Sequence, residues 1–375
     1  MATIEYTVFF DSKQADQTLL DKVDEVKVVQ QVDHAWEARL RIPVCVNNDG
    51  KWEGEEETWM RPYNRVRVEV KVGSAQPVAL IDGPVVGFEG ERSTHPGKSI
   101  VTVVVHDDTA FLNREDELAF YQTGTDSDIA RQIFSKANDD IKGPIEVDPV
   151  PAQPDNPSSV VVQRGTKMAI LRSLAGRHRK WHAYVLPGSE AGLSVRAFKQ
   201  FPEKTDGLPA LFLLGPERNL VSFNPVEHHS EPRDVTASTL MIKNKNIVTK
   251  TAKYSDVKLI GAEAADKENK KRATYRLPPG QNDSVDLDSA IQGEVDRASY
   301  SVVATGSVIP FCYNGVLTPY RAVDVVISDS PYSSTYVITR VVHNLTRSVY
   351  TQEFTMISNS TSAEIGAGAV PGGVF

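Results

Sequence analysis

The sequence predicts a mainly β protein in which two similar antiparallel β-units bracket an α+β middle. Two stretches carry that expectation. Near the N-terminus, Tyr63-Asn64-Arg65-Val66-Arg67-Val68-Glu69-Val70-Lys71-Val72 alternates apolar with charged residues, and the apolar runs Val78 to Phe88 and Ile100 to His106 follow it. Near the C-terminus, Tyr320-Arg321-Ala322-Val323-Asp324-Val325-Val326-Ile327 leads into Tyr336 to His343, and Tyr350 to Ile357 closes the unit. Each half reads as strand, turn, strand, polar loop, strand, with β-branched residues at period two and Gly, Asp, Ser or Asn at the breaks. A subunit with two alike β-faces can act as a pair, and three such subunits offer six alike positions around an axis.

Taken in order, residues 1–110 read as the first β-domain. In Trp36-Glu37-Ala38-Arg39-Leu40-Arg41-Ile42 the apolar set falls on one face and the charges on the other, as a half-buried strand requires. Short strands separated by turn signals favour a barrel or sandwich over a parallel sheet. Asn48 to Trp59 is a polar, acidic excursion carrying Trp52 and Trp59, read as a long hairpin tip. Its glutamates lack the order of a calcium loop, so it is a solvated turn or, through its tryptophans, a partner contact. Residues 111–215 read as an α+β domain. Thr125-Asp126-Ser127-Asp128 supplies a cap and first-turn acids ahead of Ile129, Ile133 and Phe134; Thr166 caps a second stripe of Met168, Ile170, Leu171 and Leu174 that ends at Gly176. Trp181 to Leu186 and Gly192 to Phe198 read as a hairpin. Residues 216–250, with Val235 to Ile242 as their best strand, join 300–360 in the second β-unit, and 251–299 form an insertion belonging with the α+β domain. The remainder, 361–375, is a small, Gly-rich tail expected to be flexible alone; its apolar residues Val370, Val374 and Phe375 are candidate partner contacts.

Composition narrows the function classes. A chain of 375 residues with net charge -8, 49 acidic against 41 basic residues and no basic tail does not suit a dedicated nucleic-acid binder. Two cysteines, Cys45 and Cys312, are too few for a disulfide scaffold and are expected to be buried thiols of a protein folded in a reducing cytoplasm. The N-terminus carries no secretory signal and no run reaches membrane-spanning length, so the chain is expected to be made and kept soluble, without stable membrane insertion. Catalytic constellations are thin. There is no Gly-x-Ser-x-Gly, phosphate-cradling loop, Cys-x-x-Cys or His-Glu-x-x-His, and the acidic neighbours Asp107-Asp108, Glu115-Asp116-Glu117 and Asp139-Asp140 do not define a cleft. The expectation is a chain without catalytic, metal or cofactor residues.

Three segments together carry a family resemblance. A β-barrel is followed by Tyr121-Gln122-Thr123-Gly124-Thr125-Asp126-Ser127-Asp128-Ile129-Ala130 opening one helix and by Gly165-Thr166-Lys167-Met168-Ala169-Ile170-Leu171-Arg172-Ser173-Leu174-Ala175 opening another. The closing segment is Tyr336-Val337-Ile338-Thr339-Arg340-Val341-Val342-His343, then Tyr350-Thr351-Gln352-Glu353-Phe354. This order, over residues 1–360, resembles the late-control-gene-D family: the baseplate hub proteins of contractile phage tails and the N-terminal part of the VgrG spike of type VI secretion. The resemblance implies two tail-tube-like β-barrels per subunit and a homotrimer with a pseudo-sixfold ring, a structural adaptor between a hexameric tail tube protein and a trimeric central spike protein. It also implies contacts with other baseplate proteins, a lumen through which DNA or cargo passes without specific binding, and a place in the virion or in a phage-like particle. A VgrG chain would continue into further domains where this one stops at Phe375, so a separate spike and a phage-like particle are expected. The rival classes are a tail-associated cell-wall-degrading enzyme and a carbohydrate-binding attachment protein using Trp52 and Trp59.

Overall fold

The alternation along Arg65–Val72 turns Val66, Val68, Val70 and Val72 to one face, where none is more than 3% exposed. Full burial of a valine side chain contributes about 1.5–3 kcal/mol, and a slip of one residue would turn all four outward, so this face fixes the register. Trp36, Ala38, Leu40 and Ile42 are buried for the same reason. The computed structural model describes residues 3–53, 60–95, 97–121, 124–150, 161–230, 233–241, 245–267, 271–277 and 287–361.

Among the described residues, thirteen strands join in one large curled sheet. Its long strands are β1 (Ile4–Phe10), β2 (Glu25–Gln31), β3 (Glu37–Pro43), β4 (Arg65–Val72), β5 (Val78–Glu91), β6 (Ile100–His106), β7 (Leu220–Glu227), β8 (Val302–Val308), β9 (Ala322–Val326), β10 (Ser334–Thr346) and β11 (Tyr350–Ser358). Neighbours run β7-β8-β11-β10-β2-β3-β6-β5-β4-β1, and β9 pairs with the first half of β10. Both units therefore share one topology, β2-β3-β6-β5-β4 and β7-β8-β11-β10-β9. They meet edge to edge where the second half of β10 pairs with β2, so the two share a continuous sheet.

The equivalence reaches single residues. Tyr63 and Tyr320, each just ahead of its strand, both take a positive φ, 65° and 64°. The Tyr63 N–H donates to Val85 O (2.8 Å) and the Val85 N–H to Asn64 O (2.8 Å); the Tyr320 N–H donates to Ile338 O (3.2 Å) and the Ile338 N–H to Arg321 O (2.9 Å). A bulge follows at once in both, between Val85 and Gly87 against β6 and between Ile338 and Arg340 against β11. A left-handed tyrosine costs on the order of 1 kcal/mol, so its presence at both strand starts marks a shared turn that both units keep.

Between the units, α1 (Asp126–Lys136) starts at Thr125, whose side chain and that of Asp128 close a capping box, and α2 (Lys167–Ala175) starts at Thr166 and stops at Gly176. Ile129, Ile133 and Phe134 of α1 pack with Met168, Leu171 and Leu174 of α2 and with Trp181, Ala183 and Phe198 of the hairpin Trp181–Pro187/Ser194–Gln200. Of residues 216–250, which the sequence places in the second unit, β7 lies in the large sheet. Arg233–Met241 instead pairs with Asn246–Ala252 and Ala273–Arg276 in a three-stranded sheet, whose Val235, Ala237 and Ala252 pack on Ile291 and Val295 of α3 (Leu287–Ser299). Arg179 ties α3 to the middle through Asp296 (2.6 and 3.1 Å). Periodicity tells which face a side chain takes; it does not tell which sheet a strand joins.

Two expectations are corrected. Cys45 and Cys312 are exposed: Val44 and Tyr313 beside them take the inward positions, at 5% and 3% exposure. Thr361, read as the first residue of the flexible tail, is buried, and Ser360-Thr361 pairs with Glu263-Ala264.

The two tyrosines differ in setting. Tyr320 is 8% exposed, stacks on Tyr184 at 3.8 Å and accepts the Asp33 N–H at 2.8 Å, whereas Tyr63 is 57% exposed. Tyr320→Ala is expected to cost about 3–5 kcal/mol and Tyr63→Ala less than about 1 kcal/mol in the single chain. Urea unfolding of both variants checks this; equal losses would refute the contrast.

Candidate assembly surface

Several carboxylates and histidines are placed by the fold as braces. Asp82, on β5, accepts from Arg65 Nε (2.6 Å), Arg67 Nη1 (2.9 Å) and the Gly192 N–H (2.9 Å). Asp108 accepts from Arg65 Nη1 and Nη2 (3.0 and 2.8 Å) and from the Ser194 hydroxyl (2.7 Å). Arg67 Nη1 also reaches Glu190 O (3.1 Å). This cluster couples the first β-unit to the hairpin of the middle domain, and Gly83 allows it: a Cβ there would lie 2.0 Å from His106 O. His178 bonds Asp126 at 2.8 Å, both about 2% exposed, and His182 sits 3.0 Å from Asp33 while stacking on Phe201 at 3.8 Å. Lys167 pairs with Glu117 at 2.9 Å. Each group is committed to joining two elements. Among the described residues no group of three or more His, Cys, Asp or Glu could hold a metal ion, and no helix is long and apolar enough to cross a membrane.

Asp107 is buried beside this cluster, accepting the Trp36 N–H (2.8 Å), the Thr109 N–H (3.0 Å) and the Thr109 hydroxyl. Burial pushes its carboxyl up from 3.8 to about 7, against the pull of those donors. Asp108 is raised too by burial, opposed by Arg65.

Of the candidate contacts, Trp52 is half-buried with the Arg92 guanidinium 4.8 Å over its ring, and Trp59, Val370, Val374 and Phe375 lie outside the described residues. Among the exposed apolar residues, four lie on two open strand edges. Among the described residues, the outer edge of β7 and the edge of β5 beyond its bulge have no strand partner. Val86 and Phe88 on β5 are 40% and 42% exposed, and Val221 and Val226 on β7 are 61% and 52% exposed. Sequence reasoning missed them because Phe88 ends a run that reads as core. The signal lay in the repeat: Val341, which holds the place of Phe88 in the second unit, pairs with β2 and is fully buried in that unit's core.

The raised Asp107 carboxyl has a consequence for stability. The folded chain keeps a proton that the unfolded chain gives up near 3.8, so stability contributed by this group is full below that pH and is lost as pH rises toward about 7. Asp107→Asn is therefore expected to gain stability relative to the parent at pH 8 compared with pH 5. Thermal unfolding at both values tests it, and a pH-independent difference would count against it.

No protein-family model matches the chain, and no curated protein matches it. Solved structures do. The 43 kDa tail protein of prophage MuSo2 from Shewanella oneidensis superposes with a TM-score of 0.64 at 14% identity, over 96% of this chain and 100% of that one. A tail protein from Neisseria meningitidis MC58 gives 0.62 at 13% identity, over 95% and 96%. An E. coli component of the type VI secretion system, described as structurally similar to the T4 bacteriophage tail proteins gp27 and gp5, gives 0.56 at 12% identity, over 97% and 80%. The fold of this chain, two like β-units around an α+β middle, is the fold of these phage tail proteins and of their type VI secretion counterpart.

Proposed function

We propose that this chain is the baseplate hub of a contractile phage tail or phage-like injection particle. It is a structural protein and not an enzyme. Three copies form a ring of six alike β-units, which joins a hexameric tail tube protein on one side to a trimeric central spike protein on the other, with other baseplate proteins around it and DNA or cargo passing through the lumen without specific binding. The protein resides in the virion or particle.

The observation that supports this most is the repeated topology, carried down to matching tyrosine turns and bulges. A sixfold partner requires six similar surfaces and a threefold partner requires three identical ones. A trimer of an internally duplicated chain meets both requirements, and a closed ring leaves no unmatched contact to drive filament growth. The commitment of the buried carboxylates and histidines to braces supports a structural role over a wall-degrading one, and the Arg92 guanidinium over Trp52 leaves that ring less suited to sugar stacking.

A particle reconstruction is expected to show three copies at the hub, with the two β-units of each alternating around the axis. Six copies, or two units at different radii, would overturn the reading.

A further inference from the structure

We infer that a second copy of this chain adds the latter half of its β5 to the outer edge of β7. The contact repeats between subunits the junction that β10 and β2 make within one, but more weakly, so that the ring closes only when copies are brought together. This rests on the reading of a three-copy ring and specifies its contact.

The internal junction fixes the register. Within the chain Val341 lies opposite Gln30, Val342 opposite Val29, His343 opposite Val28 and Asn344 opposite Lys27. Val85 and Ile338 stand opposite Val105 and Met356, which in turn stand opposite Ala38 and Ala304, themselves paired with Val28 and Pro225. Carried across, β10 residues 341–344 correspond to 88–91 and β2 residues 27–30 to 224–227. Between copies Phe88 then faces Glu227, Glu89 faces Val226, Gly90 faces Pro225 and Glu91 faces Asn224.

Exposure follows the same correspondence. Tyr63 and Phe88 are 57% and 42% exposed, whereas their counterparts Tyr320 and Val341 are 8% and 0% exposed. The Tyr320 ring packs on Tyr184 and Phe201 of the middle domain and meets Asp33 of the first unit, and Val341 lies in the second unit's core beside β2, whereas the edge of β5 beside Phe88 has no strand partner among the described residues. A second copy supplies that strand and covers Phe88.

Chemistry makes the outer contact the weaker one. Inside, His343 bonds Tyr350 (2.8 Å) and Gln30 (3.1 Å), all buried. Their counterparts are Gly90, Ser99 and Glu227, which cannot rebuild that set. N–H groups alternate sides along a strand, and the His228 N–H donates to Ser301 O on the β8 side, so position 225 faces the outer edge. Proline there removes one ladder donor.

The test uses the full chain with Cys45→Ser and Cys312→Ser, carrying Glu89→Cys and Val226→Cys. These positions form a non-hydrogen-bonded pair in the inferred register, with Cα atoms about 4.5 Å apart, which a disulfide can span. Oxidation of concentrated protein is expected to give covalent species up to three chains and none larger; dilution before oxidation is expected to leave single chains. Phe88→Glu is expected to weaken association at least roughly tenfold while leaving unfolding of the single chain unchanged. Trimers by mass measurement that do not cross-link would sink the junction and leave the three-copy ring standing. A covalent ladder running past three would overturn the ring itself. No association at the highest soluble concentration would overturn the junction, and trimers that survive dilution would overturn its weakness.

Discussion

Seven residue pairs, from Arg340↔Gln31 to Thr346↔Glu25, join β10 of the second unit to β2 of the first, and the placement of the other elements follows from that seam. A buried polar set sits within it. Burial pushes the His343 imidazole down to about 3, so the ring is neutral. A neutral ring has one donor and one acceptor, and both are used: Nδ1 accepts the Tyr350 hydroxyl and Nε2–H donates to Gln30 Oε1, while the Gln30 amide donates to Leu80 O at 2.7 Å. An unmet group here would cost about 1–3 kcal/mol, so the set admits one register between the units and penalises the others.

From that seam the middle domain takes its position through charge. Arg65, Arg67, Asp82 and Asp108 are drawn from the first unit, and Gly192, Ser194 and Glu190 O from the hairpin. Such a network is weak evidence for net stability, because the desolvation of each charge offsets much of the attraction. Its effect is on specificity: removing one partner leaves a buried charge unmatched, at about 3–5 kcal/mol, so the hairpin docks in one orientation. His182 and Tyr184 of the same hairpin meet Tyr320 of the second unit, at 5.9 and 3.8 Å between rings. The middle is thereby fixed to both β-units.

Much of this was legible in the chain. Period-two alternation found β4 and β3 with the correct inward faces, and the Thr-led caps found the starts of α1 and α2, because these depend on residues within one turn or one strand. The repeat was visible as paired strand patterns. Less legible was Cys45, whose apolar neighbours suggested burial; Val44, just ahead of the two-residue strand Cys45–Val46, takes the inward place and the thiol is left outside. The stretch Arg233–Met241 read as a strand of the second unit and is a strand of another sheet, since alternation carries no address.

The sequence by itself determined the class of fold, the duplication and the absence of familiar catalytic motifs, for all of these are written in local spacing. Only the tertiary structure decided which strand edges are joined and which are open. That choice depends on partners hundreds of residues apart, as His343 and Gln30 are, and the same local pattern buries Val341 while it leaves Phe88 exposed. Burial is a property of what surrounds a residue, and Val341 lies beside a strand whose own sequence gives no sign of where it will lie.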